Sequence, residues 1–135
     1  MVTDVLMSIR PVYAEAILDG TKTFELRRRR PSFAQGTRVL VYSSAPHQRL
    51  QGTFEVGGII ADAPDALWER LGDRAGIDRD LFDTYFDGCS TAYAIEVKKP
   101  KRIKPARLSI RPPQSYLFLR SRERRHRPLL RLART

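Results

Sequence analysis

Two strings, Ser8-Ile9-Arg10-Pro11 and Gly20-Thr21-Lys22-Thr23-Phe24-Glu25-Leu26-Arg27, decide how this chain is read. The second fits Gly-x-Lys-x-x-Glu-x-Arg. Phe24 and Leu26 alternate with Thr23, Glu25 and Arg27, the period of two that marks a half-buried strand. One face of that strand is expected to enter the core. The other is expected to present a carboxylate and a guanidinium side by side, with Lys22 entering from the turn after a flexible glycine. A fixed acid, a fixed planar cation and a mobile ammonium suit a ligand with polar edges and phosphates. The same residues also describe a plain Arg–Glu pair on a solvated strand, a contact that contributes little.

Outward from this core the elements follow in turn. Val5 to Ile9 reads as a first strand, and Pro11 opens a short helix through Leu18, at a position where the missing N–H costs nothing. Gly20 stops that helix. Strands are expected over Thr23–Arg28, Thr37–Ser43 and Gly52–Ala61, the last with Gly57-Gly58 as a bulge or sharp bend. Two helical segments, Ala63–Leu71 and Asp78–Phe86, form an insert. A strand over Ala92–Val97 follows, then an edge-like or irregular charged passage over Lys98–Lys104 around Pro100, a loop through Pro112-Pro113, and a short final strand at Ser115–Leu119. This spacing points to a small mixed α+β barrel ahead of a parallel sheet.

At 135 residues the chain holds one domain with a real core. Its composition, 41% hydrophobic and 30% charged, is that of an ordinary globular protein, but the formal net charge of +10 is not. Such a balance implies a polyanionic partner, nucleic acid ahead of a membrane surface. Residues 121–135 read as a basic C-terminal tail after a domain over 1–120, since six arginines there face only Glu123. The tail is expected to be disordered or loosely helical, unless Leu129, Leu130 and Leu132 dock it. The single Cys89 leaves no internal disulfide and fits a reducing cytoplasm. No apolar run reaches the length of a membrane span, and no secretory signal is expected.

The residues around the central strings resemble the ASCH domain, within the PUA-like group. The matching stretches are Leu6-Met7-Ser8-Ile9-Arg10-Pro11, Ala14-Glu15-Ala16-Ile17-Leu18-Asp19-Gly20, Lys22-Thr23-Phe24-Glu25-Leu26-Arg27 and Gly36-Thr37-Arg38-Val39-Leu40-Val41-Tyr42-Ser43-Ser44. Val56-Gly57 and the closing Pro112-Pro113-Gln114-Ser115-Tyr116 also fit. The resemblance implies a five- or six-stranded PUA-like β-barrel with rim helices. It also implies a cleft along the Gly-x-Lys-x-x-Glu-x-Arg strand that binds RNA or a nucleoside. Bacterial relatives that look like amidohydrolases on acylated cytidine carry threonine three positions after the lysine. Glu25 stands there in this chain.

The residues lean towards binding over catalysis. Lys22 acts as a base only if burial lowers its pKa, and a neighbouring Glu25 pushes the other way. Glu25 is the other candidate base, opposed by Arg27. His47 and His126 are far apart and show no zinc spacing, so no metal and no cofactor are expected. Ser43, Ser44 and His47 are close enough to imitate a nucleophile and base, or simply to cap a turn. Tyr42, Tyr93 and Tyr116 are candidates for stacking on bases or for the core. The resulting expectation is a cytoplasmic RNA-binding module whose cleft is lined by Ser8, Arg10, Lys22, Glu25, Arg27, Ser43 and Ser44. The alternatives are a hydrolase on a modified nucleoside or on RNA, with Lys22 and Glu25 catalytic, and a module for protein partners.

Overall fold

Strand β1 (Asp4–Ile9) is buried along nearly its whole length, because its two faces meet two different apolar clusters. The computed structural model describes residues 3–134. Val5, Met7 and Ile9 point to one side and Leu6 to the other, as the pleat of a strand requires. β3 (Arg38–Ser43) runs parallel to β1, and β6 (Tyr116–Leu119) lies antiparallel on its other side. β4 (Arg49–Asp62) joins β3 to β5 (Ala92–Ala106), and β2 (Phe24–Arg27) ends the row, giving the order β2-β5-β4-β3-β1-β6.

The inner face of this sheet is closed by α1 (Pro11–Asp19). Ala14 and Ile17 of that helix join Val5, Met7, Val39, Val41, Phe54 and Ile95 in one cluster. The outer face carries two covers. Over β2 and β5 lie α2 (Pro64–Leu71), a 3-10 turn (Gly72–Arg74) and α3 (Arg79–Tyr85), which set Leu67, Leu71, Phe82 and Phe86 on Phe24, Leu26 and Ala94. Over β1 and β3 lie a second 3-10 turn (Arg124–His126) and α4 (Arg127–Ala133), with Leu129 and Leu130 on Leu6, Leu40 and Leu50. The basic C-terminal segment therefore docks through its leucines, and its arginines are held on an ordered turn and helix.

The architecture is the expected mixed α+β one, with the barrel a loose one. Among the described residues no ladder joins β2 to β6, so the sheet curls without closing. Side chains bridge the gap instead. Arg27 donates to Ser115 Oγ at 3.1 Å, and Phe33 meets Tyr116 edge-on at 5.0 Å. The Gly57-Gly58 pair sits in a register break between Val56 and Ile59, the anticipated bulge.

Two local expectations are corrected. β5 continues past Val97 to Ala106, because β4 supplies partners along it, Thr53 opposite Lys101 and Leu50 opposite Ala106. Pro100 and Pro105 lie in this outer stretch, where breaks in register absorb them. β2 is not half-solvated. The insert covers Phe24 and Leu26, while Glu25 faces inward opposite Ile95 and is only 7% exposed.

Candidate functional site

The turn before β2 aims Lys22 into the protein. Gly20 caps α1 in the left-handed region at φ 90, a conformation open to glycine at little cost. Thr21 then folds back on Asp19, with N–H and hydroxyl donating to Oδ1 at 2.9 and 2.7 Å. The Lys22 N–H donates to the Ala16 carbonyl at 3.0 Å, and the Thr23 N–H to the Arg74 carbonyl at 3.0 Å. The lysine side chain is thereby laid beneath the segment that follows α2. Its ammonium donates to the Ala75 carbonyl and stands 5.0 Å from the centre of the Tyr13 ring. Gly76, at φ 62, lies so close to the lysine stem that a Cβ there would overlap Lys22 Cβ and Cγ.

Lys22 is thus 2% exposed, and the expectation of a mobile ammonium is corrected. Burial lowers its pKa below the usual lysine value; the Glu25 carboxylate opposes that shift and the Arg27 guanidinium adds to it. Desolvation wins over the neighbouring acid, the reverse of the balance read from the sequence, because the insert removes water that the local pattern could not foresee.

Glu25 and Arg27 share the inward side of β2. Arg27 Nη2 donates to Glu25 Oε2 at 3.0 Å, and Nη1 reaches Ser115. Arg27 Nε is buried without an acceptor among the described residues. A buried donor without a partner costs about 1–3 kcal/mol, a cost that an oxygen brought against this atom would relieve. Ser8 approaches from β1, with Oγ donating to the Pro113 carbonyl at 2.6 Å and its N–H to the Ser115 carbonyl at 3.0 Å. Ser8 and Arg27 therefore meet on one segment, 113–115.

The other expected residues divide. Ser43 is fully buried, and its Oγ lies 3.2 Å from His47 Nδ1. No side chain among the described residues orients the far side of that imidazole, and the pair closes the 43–48 turn. Ser44 is half-buried and donates its N–H to the Ile9 carbonyl at 2.9 Å. Arg10 is exposed at the start of α1, where its carbonyl accepts from Tyr13 and Ala14. Of the tyrosines weighed for stacking, Tyr42 is buried with the leucines under α4, and Tyr93 and Tyr116 stand beneath Arg30 and beside Phe33. Tyr13, Ala75 and Gly76 were not read as site residues. Tyr13 lies on α1 between the two strings, packed against the core, and the 75–76 contact has no local signal at all.

Among the described residues no group of three His, Cys, Asp or Glu side chains is placed to hold a metal, and no helix is long and apolar enough to cross a membrane.

The comparisons with known proteins fit this geometry. The family model described as ASCH domain matches residues 7–105. An ASCH domain-containing ribonuclease from Zymomonas mobilis is 31% identical over 128 residues, which is 89% of this chain and 86% of that protein. The crystal structure of ASCH from Zymomonas mobilis superposes with a TM-score of 0.87 at 29% identity, covering 96% of this chain and 94% of that one. The large ribosomal subunit protein uL22 of Ureaplasma parvum is 23% identical over 95 residues, 70% of this chain but 30% of the ribosomal protein.

Proposed function

The chain belongs to the ASCH domain family, and from that premise we propose that it binds single-stranded RNA and cleaves the backbone at the Lys22–Glu25–Arg27 site. The PUA-like ASCH unit is residues 1–120, the segment 121–135 is its basic appendage, and the cytoplasm is the compartment that fits both the substrate and the lone Cys89. One observation carries the reading. A buried lysine with a lowered pKa lies within electrostatic reach of the buried Glu25 carboxylate and the half-buried Arg27 guanidinium paired with it. Buried charges of this kind cost stability, and such expense clusters at functional sites. The ribonuclease name borne by a relative that spans most of both chains supports the same reading.

The chemistry follows from the groups present. The fraction of Lys22 that has shed its proton, enlarged by burial, presents Nζ as the acceptor of the proton of a ribose 2′-hydroxyl. The freed oxygen attacks the adjacent phosphorus, the O2′–P bond forms, the P–O5′ bond breaks with its electron pair on O5′, water protonates O5′, and the proton held on Lys22 passes to the hydroxide so formed. General base assistance of this sort contributes about 10²–10⁴-fold. Glu25 holds the Arg27 guanidinium in place, and the unpartnered Nε donates to a phosphate oxygen as charge builds there. With Lys22 closed under residues 75–76, a ribose reaches Nζ only when that segment shifts.

That closure favours one second reading, a cleft that holds an unstacked nucleotide at Arg27 without turnover. Incubation with labelled single-stranded RNA decides between them. Cleavage is expected, with none in a 2′-O-methyl copy, a loss of about 10²-fold or more in Lys22→Met, and little change in Arg70→Ala on the insert surface. Binding without cleavage supports the second reading. Turnover on acylated cytidine instead of RNA would restore the amidohydrolase chemistry despite Glu25.

A further inference from the structure

The charge of this protein is concentrated in one part of it. Residues 98–134 hold fourteen Lys and Arg against the single Glu123, whereas residues 1–97 hold eleven Lys and Arg against fourteen Asp and Glu. Two separate stretches contribute, 98–111 and 120–134, and the fold brings them together. Ile103, Leu108 and Ile110 pack against the cluster that contains Leu129 and Leu130, so the outer half of β5, the loop after it and α4 share one apolar seat. Their charged ends are left outside. Among the described residues Lys104, Arg107, Arg111, Arg124, Arg131 and Arg134 are exposed and have no carboxylate partner.

This surface leads to the site. The loop carrying Arg107 and Arg111 runs on to Pro113, which accepts from Ser8, and to Ser115, which accepts from Arg27. A polyanion lying along α4 and the loop would arrive at Arg27 without crossing the acidic insert. We propose that the outer half of β5, the 107–115 loop and α4 form a second RNA subsite, a fixed track for the backbone that is continuous with Arg27 and selects long single strands over short ones. The inference rests on the reading of the substrate as RNA. Contacts of this kind position a strand without reading its bases. They add affinity that falls with salt, by about 0.7 in log–log slope for each phosphate neutralised on a single strand.

The test uses the full chain and two single-stranded RNAs of mixed sequence, about 16 and about 4 nucleotides long. Binding is titrated in Lys22→Met, so that cleavage does not interfere, and turnover is followed in the otherwise unchanged chain. Arg107→Gln/Arg111→Gln and Arg124→Gln/Arg131→Gln/Arg134→Gln are made in both backgrounds. Each set is expected to weaken the long RNA about 10- to 100-fold near 0.15 M salt and to flatten the salt slope, with the short RNA changed less than about 2-fold. If the helix variant does not fold, the loop variant still decides, since its arginines lie outside regular elements. Equal loss for both lengths, or no loss for either, overturns the track. So does equal competition by polyglutamate of matched charge, which would make the surface a protein dock. Loss of long-RNA binding in a protein that cleaves nothing keeps the track and removes the ribonuclease reading. Cleavage with an unchanged length preference in both variants removes the track alone.

Discussion

The two covers on the outer face of the sheet do the same packing work and differ in everything else. The insert, from Asp62 to Ser90, carries eight Asp and Glu against three arginines, and each of those arginines is paired with a carboxylate of the insert or its edge. It also reaches over the sheet edge to place Ala75 and Gly76 on Lys22. The C-terminal cover is almost wholly basic, and among the described residues its arginines have no carboxylate partner. One cover shapes the site and pairs its own cations within a surplus of acid. The other shapes nothing in the site and offers charge. The difference shows that an acidic cover with its own cations paired can close over a lysine, whereas an unpaired cationic surface retains its long-range field for a polyanion.

The comparison breaks first at its cores. Phe82, fully buried between Trp68 and Phe86, anchors the insert. Phe82→Ala is expected to cost about 3–5 kcal/mol in urea unfolding, and activity is expected to fall with it because the Lys22 roof moves. Leu129→Ala on the other side is expected to cost about 2–5 kcal/mol, while the turnover of a short RNA survives in the folded fraction. A cost under about 0.5 kcal/mol would mean that α4 is the loose tail that its composition describes.

A finer probe is Gly76→Ala. The left-handed φ of 62 and the contact with the lysine stem predict a cost of about 1–3 kcal/mol and a changed pH–rate profile, since the roof over Nζ is displaced. An unchanged profile with lowered stability would separate the roof from the chemistry. The smallest effect is the pH dependence of stability. Lys22 has a folded pKa below its unfolded value, so the native state carries the burial penalty in full below the folded pKa. As pH rises from there to the ordinary lysine value, the native state sheds its proton first and the penalty is relieved. The wild type should therefore gain stability relative to Lys22→Met over that alkaline window, as the two melting curves would show. A difference that is flat with pH would mean that the ammonium is as well solvated as in the unfolded chain.

Much of the molecule was legible before its structure. Pro11 and Gly20 mark α1 to within one residue, the alternation in 37–43 marks β3, and the glycine pair marks the bulge in β4, because caps, pleats and bulges are written in neighbouring residues. The outer half of β5 was not legible. Lys98, Lys99, Pro100, Lys101 and Arg102 read as an irregular passage, and only the β4 ladder makes a strand of them. The Gly-x-Lys-x-x-Glu-x-Arg string gave the wrong surroundings to two of its residues. Lys22 and Glu25 are buried where a half-solvated strand was expected.

The sequence by itself determined the family, most of the succession of elements up to β6, the excess of positive charge and the Gly-x-Lys-x-x-Glu-x-Arg string. Each of these is a property of residue type or of spacing within a few positions. Only the tertiary structure decided that the insert dehydrates Lys22, that Arg27 bridges the open edge of the sheet to Ser115, and that two basic stretches form one surface. The first two outcomes depend on contacts between residues more than fifty positions apart, from Lys22 to Ala75 and from Arg27 to Ser115. Solvation and the meeting of distant charges arise from packing, and local alternation carries no record of what will be packed on top.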